Sequence, residues 1–159
     1  DESVLKVLGL EFMAEPREVS PELEKPVAIQ DRDVVDENDA DSIKVTDYLE
    51  GKDQIMVDLY NAFYDALRER LEGLHEHAVR PYLAIVDETL GRNIAEIRIQ
   101  KTQIRFNILK PLKEELQIGE ENGENYRWSL SYKVFLKSQE EIPTIVECVL
   151  DSYNQMLGN

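Results

Sequence analysis

Three segments of this sequence alternate between apolar and polar residues, which favours a fold built on an antiparallel sheet. The first covers residues 95–99, and the second, residues 104–108, follows after a short polar connection. The third runs from Trp128 to Leu136. Because alternate side chains of a strand point to opposite faces, each segment predicts a strand with one buried face. The short connection predicts that the first two strands form a hairpin.

Apolar residues at helical spacing predict two helices to accompany these strands. The first stripe lies between Tyr48 and Leu74, with Gly51 marking either its start or a break, and the second runs from Ile142 to Leu157. A short apolar run from Tyr82 to Val86 adds a fourth strand, buried on both faces. We therefore predict an α+β fold: a small antiparallel sheet of about four strands packed against a long N-terminal-side helix and a C-terminal helix.

The first part of the chain differs in composition from the rest. Residues 1–44 contain 13 acidic and 5 basic residues and three prolines, and they lose periodicity after a short amphipathic start. This composition is typical of an extended linker. We divide the chain into an acidic arm or interdomain linker, residues 1–44, and a single α+β domain, residues 45–159. Because the chain begins at Asp1 without a methionine, we expect either a piece of a longer protein or a processed chain.

Charge and composition argue against several classes of function. The formal net charge of −15 repels phosphate backbones and anionic membranes, so we expect neither direct nucleic-acid binding nor membrane association. A single cysteine and the lack of a long apolar segment are typical of a cytoplasmic protein. The basic residues of the strand region are interleaved with acids and are interpreted as solvated strand faces: Arg98, Lys101, Arg105, Lys110 and Lys113.

Residues of the types that bind metals or phosphates are present, but none of them has around it the further residues that a complete site needs. Glu72 and His75 have the i, i+3 spacing by which two helix residues share a metal, but a complete site needs further ligands. Cys148 has no histidine nearby in sequence and is interpreted as a small buried apolar residue. Gly119 and Gly123 lie among acidic residues that would repel phosphate. We expect no cofactor and no metal.

Three acidic residues and one arginine imitate the charged residues of a metal-dependent nuclease. Asp87 and Glu88 are followed by Glu96 and Arg98, with arginine where such a nuclease has lysine. The strand alternation offers a simpler reading, in which Glu96 and Arg98 belong to a charged outer face. We identify no catalytic residue on this evidence.

The residues most suited to contact a ligand or a partner are Tyr82, Tyr126, Arg127 and Trp128. The last three lie at the edge of a long polar segment, and aromatic and arginine side chains are enriched in interface hot spots. A structural alternative remains for Trp128, whose position in the alternation places it on the inward face of its strand.

Several segments resemble a known family from about Val45 to the end. These are the strand led by Tyr82, the segment from Asn93 to Lys101, Trp128, and the ending from Glu140 to Tyr153. They resemble the bacterial and archaeal domain-of-unknown-function family called "predicted transport protein". Members often form the C-terminal module of larger proteins, some with nuclease-like or restriction-associated segments. The resemblance implies attachment to a prokaryotic DNA-processing or defence-type protein.

Taken with the resemblance, these observations predict a non-catalytic accessory or protein-interaction domain of a larger cytoplasmic protein, and no enzyme. Its partner would be another protein or an upstream domain of the same chain, and a homodimer is left open. One alternative is a small-ligand binding domain, with Tyr82, Arg127 and Trp128 near the mouth of a pocket. A second alternative is a metal-dependent nuclease-like enzyme.

Overall fold

The computed structural model describes Asp33, Val35 and residues 40–122 and 130–158, and this part of the protein contains both strands and helices. All of these except Asp33 belong to one unit, Val35–Asn159. The fold is mixed α+β, as predicted. Its strands are β1 (Ser42–Ile43), β2 (Leu74–Val79), β3 (Tyr82–Asp87), β4 (Arg92–Ile99), β5 (Ile104–Ile108), β6 (Glu120–Glu121) and β7 (Tyr132–Leu136). Its α-helices are α1 (Val45–Leu49), α2 (Gln54–Arg68) and α3 (Ile142–Leu157), with 3₁₀ turns at Glu114–Leu116 and Gln139–Glu141.

The strands form one antiparallel sheet in the order β1-β2-β3-β4-β5-β7-β6. The predicted hairpin is confirmed, because β4 pairs with β5 and places Ile99 opposite Ile104. The expected number of about four strands was wrong. Strands β1 and β6 have two residues each, too few to show a period, and β2 carries a glutamate on its inward side.

The predicted long helix is two helices. Gly51, with φ of 82°, separates α1 from α2, so this glycine marks a break. Asp53 then caps α2, because its carboxylate accepts hydrogen bonds from the backbone N–H groups of Ile55 at 3.0 Å and Met56 at 3.2 Å. The helix ends at Arg68 and Leu74 begins β2, so the predicted extension of the helix to Leu74 was wrong.

One face of the sheet packs against the helices and forms the core. Its central residues lie opposite one another across five strands and are almost fully buried: Ala78, Leu83, Ile97, Phe106 and Val134. Phe63 of α2 reaches this row, with its ring centroid 4.7 Å from that of Phe106 in an edge-to-face arrangement. Apolar residues of α3, among them Ile145 and Val149, complete the same core.

Buried polar groups fix the helices against this face. The Tyr60 hydroxyl of α2 donates a hydrogen bond of 2.5 Å to the carboxylate of Glu76 in β2. The Ser152 hydroxyl of α3 accepts from the Leu109 N–H at 3.1 Å and donates to the Ile94 carbonyl at 3.4 Å. Ile94 lies where the register between β3 and β4 shifts, so this contact satisfies a carbonyl at an irregular point of the sheet.

Tyr48 of α1 supports the centre of the sheet. Its hydroxyl accepts a hydrogen bond from the Ile99 N–H at 3.2 Å and donates to the Ile97 carbonyl at 3.4 Å. Burial raises the pKa of this phenol above its ordinary value, although the hydrogen bond from Ile99 and the charge of Arg98 act in the opposite direction. The phenol is therefore held in its neutral form.

Most of the predicted acidic arm lies outside the described residues. At its end, Ser42 and Ile43 pair with Val79 and Ala78 as the edge strand β1. The proposed boundary at residue 44 stays a prediction. Within the described helices, none combines the length and apolar character that crossing a membrane requires.

Candidate functional site

The face of the sheet opposite the helices, here called the outer face, carries polar side chains in register. One row runs across five strands and contains four polar residues and the buried Ala84, each opposite the next: His77, Ala84, Glu96, Asn107 and Lys133. The prediction that Glu96 and Arg98 lie on an outer face is confirmed, since Ala95, Ile97 and Ile99 between and beside them are buried. This face therefore combines acidic, basic and amide groups on a rigid sheet.

A second row on the outer face places two arginines directly opposite each other. Arg98 of β4 faces Arg105 of β5, and Arg105 faces Phe135 of β7. Leu83 and Ile97 are the last paired residues of β3 and β4, and Tyr82 and Arg98 adjoin this pair at the end of the ladder. We call these four residues, Tyr82, Arg98, Arg105 and Phe135, the arginine row. It consists of two cations flanked by two half-buried aromatic side chains.

Arg105 is held in one orientation by neutral groups. Its Nε donates to the Asn107 Oδ1 at 3.0 Å, and a terminal nitrogen donates to the Asn122 Oδ1 at 3.4 Å. Both amides are anchored in turn, because Asn107 donates to the Leu130 carbonyl at 3.2 Å and Asn122 to the Ser131 carbonyl at 2.6 Å. The guanidinium group is thus oriented while its charge is not neutralised by these partners.

The charge of the second arginine, Arg98, has even fewer contacts with the described residues. Arg98 is exposed and makes no hydrogen bond or ion pair with any residue that the structure describes. The nearby acids have other contacts: Glu96 accepts a hydrogen bond from Asn93 at 3.2 Å, and Glu120 lies 3.8 Å from Lys133. Like charges directly opposite each other destabilise a sheet. Departures from a local stabilising rule are expected mainly at functional sites, which makes the arginine pair the strongest candidate site.

The carboxylates of the nuclease-like pattern are not brought together. Asp87 shares a face with Ile85 and Leu83, towards the helices, whereas Glu96 lies on the outer face. The Asp87 carboxylate instead accepts the Leu90 N–H at 2.8 Å and closes the turn between β3 and β4. It is almost fully buried in this structural role.

The helical spacing assumed for Glu72 and His75 was wrong. Glu72 follows the end of α2, and His75 lies in β2, where its Nδ1 is 3.8 Å from the Glu88 carboxylate. Among the described residues, no group of three or more histidine, cysteine, aspartate or glutamate side chains is arranged to hold a metal ion.

Cys148 is fully buried on α3, as the sequence predicts. Its thiol lies 3.6 Å from the Leu116 carbonyl oxygen and donates to it. Burial, together with the smaller effects of the negative charges of Asp151 and Glu147, raises the pKa of this thiol from 9.0 to about 11. The group is therefore a protonated thiol in the native protein at neutral pH.

This pKa shift predicts a loss of stability in alkali. Because the folded pKa lies above the unfolded one, the contribution of Cys148 is fully present below pH 9 and is lost as the pH rises towards 11. Urea unfolding of the wild type and of Cys148→Ala at pH 8 and pH 11 measures this contribution. We expect the free energy of unfolding to fall more steeply in the wild type. Parallel declines in the two proteins would contradict the assignment.

A cleft of about 830 Å³ lies on the helix side of the sheet. It is lined mainly by α3 and by residues that follow α2 and β5, including Leu71, Leu112 and Leu150. An exposed ion pair crosses it, with the Arg70 guanidinium 2.8 Å from the Glu147 carboxylate. Leu112 is 74% exposed at its rim, so the cleft offers an apolar contact beside charged groups.

The contact residues predicted from the sequence can be located only in part. Tyr82 lies on the outer face of β3, half-buried, and is a member of the arginine row. Tyr126, Arg127 and Trp128 lie outside the described residues, so their grouping with Tyr82 stays a prediction. Arg98 and Arg105 were interpreted only as solvated strand residues. The signal that could have identified the pair is the hairpin, since a turn between Ile99 and Ile104 brings these arginines opposite each other.

Comparisons of the chain with protein-family models, curated proteins and solved structures find no match. The family resemblance described above therefore stays a prediction.

Proposed function

We propose that this protein is a non-catalytic protein-interaction domain and that its outer sheet face binds the partner. The observation that carries the proposal is the arginine row, in which two opposed arginines, neither of which forms an ion pair with a described residue, lie between Tyr82 and Phe135. Arginine and aromatic residues are the types most enriched in the centres of protein interfaces. As the family resemblance implies, we further propose that the domain serves a larger cytoplasmic prokaryotic protein of a DNA-processing or defence system.

The rigidity of the face supports this proposal. The arginine row lies on the central strands β3, β4, β5 and β7 of the sheet, which the helices brace from behind. Arg105 is already oriented by Asn107 and Asn122, so little side-chain freedom is lost when a partner binds it. The edges of the sheet are less suited to binding, because β1 and β6 are two residues long and offer a partner strand few backbone groups.

The helix-side cleft supports a second candidate function, the binding of a small ligand. Its volume of about 830 Å³ lies within the range of roughly 300–1,000 Å³ that is common for ligand sites. Leu71 and Leu150 supply apolar walls, and Lys113 adds a cation at one side. A thermal-shift screen of metabolites tests this candidate, with Leu150→Ala as the variant that should abolish any shift found.

Two charge-matched double variants test the proposed interaction. Arg98→Gln with Arg105→Gln removes two positive charges from the outer face, and Arg70→Gln with Lys113→Gln removes two from the helix side. The two double variants and the wild type are each immobilised and exposed to an extract of the native cells. We expect a set of proteins that the wild type and the helix-side variant retain and that the outer-face variant loses by at least about tenfold, since truncating interface arginines commonly costs more than 1.4 kcal/mol.

Two results would contradict the proposal. One is that the double variants retain the same proteins, because the outer face would then contribute nothing specific. The other is metal-dependent cleavage of DNA by the purified chain that disappears in Glu96→Ala, which would establish an enzyme.

A further inference from the structure

The geometry of the arginine row points to an acidic peptide segment as the partner, and we infer that its carboxylates bind Arg98 and Arg105. This inference rests on the proposed interaction function and names the chemistry of the partner. Neighbouring strands lie about 4.8 Å apart, so the backbones of the two opposed arginines are close and their like charges repel each other. A carboxylate placed between or beside them removes that repulsion, and arginine binds carboxylates through two parallel hydrogen bonds.

An extended peptide matches the order of the row. Its alternate side chains lie on one side about 7 Å apart. Arg105 is fixed by Asn107 and Asn122, and the long side chain of the exposed Arg98 can adjust to that spacing. A segment that presents an apolar residue, two acids and a second apolar residue on one side would meet Tyr82, Arg98, Arg105 and Phe135 in turn. The aromatic residues would then exclude water from the ion pairs, which strengthens them.

The distribution of charge favours a peptide over a nucleic acid. The formal net charge of the chain is −15, and Glu96 and Glu120 lie on the same face as the arginines. A nucleic acid carries a negative charge at every phosphate, so phosphates beyond the arginine pair would meet these acids. A peptide with two carboxylates places its charge only where the arginines lie.

The test uses the full chain and a defined peptide, measured by isothermal titration calorimetry. The peptide is capped at both ends, and leucine, glutamate, glutamate and leucine alternate with serine along it. We expect saturable binding that weakens with added salt and that falls at least about tenfold when both glutamates are replaced by glutamine, since each charged pair contributes on the order of 1.4 kcal/mol. Arg98→Gln should weaken binding by a similar factor.

Lys113→Gln is the matched control, because Lys113 is exposed on the helix side and its removal changes the net charge equally. It should leave the affinity within about twofold, since distant surface charges are screened by salt. Arg98→Gln should also unfold at the same urea concentration as the wild type or a higher one, because it relieves the repulsion from Arg105. A clear loss of stability would show that Arg98 is structural and would overturn the inference.

Other outcomes distinguish this inference from the proposed function. Equal binding of the glutamine peptide, or the absence of binding by either peptide, overturns the acidic partner. The experiment with immobilised double variants and cell extract would still test, independently of the peptide, whether the outer face binds a protein partner. Tighter binding of a phosphoserine peptide or of an oligothymidylate, lost in Arg98→Gln, would also overturn it and assign the arginine row to phosphate.

Discussion

Phe63→Ala should lower the free energy of unfolding by about 3–5 kcal/mol, the usual range for removing a buried aromatic ring. Phe63 is fully buried at the centre of α2, and its ring contacts that of Phe106 in the middle of the sheet. The substitution removes the apolar contact and leaves a cavity between α2 and β5, which close-packed neighbours can fill only in part. Urea unfolding followed by circular dichroism measures the change.

Ile55→Ala is the matched control on the same helix. Ile55 is 72% exposed, so its truncation should change the free energy of unfolding by less than about 0.5 kcal/mol. The two substitutions remove apolar groups from one helix and differ in burial. Similar losses in the two variants would mean that α2 packs on the sheet through another face than the one that contains Phe63.

The contrast between Ile55 and Phe63 shows how far helical spacing could predict the core. The stripe from the sequence included both residues, because they lie eight positions apart and apolar residues recur between them. In the structure the buried side contains Met56 and Tyr60 instead of Ile55. The cap at Asp53 fixes where the helix begins, and packing against the sheet then decides which of two similar apolar faces is buried.

Strand β2 could not be recognised from periodicity because its inward position is occupied by a charged residue. Glu76 lies between Leu74 and Ala78 on the helix-facing side and is almost fully buried. The hydroxyl of Tyr60, which is 16 residues earlier on α2, donates to its carboxylate and makes this burial tolerable. Because the hydrogen-bond partner of Glu76 is remote in sequence, the local pattern of apolar and polar residues does not indicate that Glu76 is buried.

Regions with uninterrupted periods were predicted more closely. Residues 95–99 of β4 and the residues of β5 alternate between apolar and polar types. Helix α3 begins at Ile142, so Pro143 falls in the first turn, where proline is tolerated. The candidate site was harder to predict from the sequence. The hairpin alone pairs Arg98 with Arg105, but the support of Arg105 by Asn122 depends on the return of the chain through β6 to β7.

Gly119→Ala should detach the edge strand β6 from β7 and lower the free energy of unfolding by about 3 kcal/mol, at the upper end of the usual range for overpacking. An added Cβ would overlap the Lys133 carbonyl oxygen and lie 2.8 Å from its carbonyl carbon, and backbone atoms of a paired strand cannot move aside as a flexible side chain can. The displaced segment would also lose the hydrogen bond of 2.8 Å from the Gly119 N–H to the Tyr132 hydroxyl.

The backbone N–H of Asn122 donates a hydrogen bond of 2.8 Å to the Ser131 carbonyl. Its hydrogen exchange reports this detachment directly and should be faster in Gly119→Ala. In Gly158→Ala an added Cβ would lie 3.7 Å from the Asn154 carbonyl oxygen, an ordinary contact, so this control should change the free energy of unfolding by less than about 0.5 kcal/mol. Unchanged exchange at Asn122 in Gly119→Ala would show that the segment has room for a side chain and that β6 does not approach β7 as closely as the structure places it. Because Asn122 also holds Arg105, the same variant should weaken binding of the acidic peptide while Gly158→Ala leaves it unaltered.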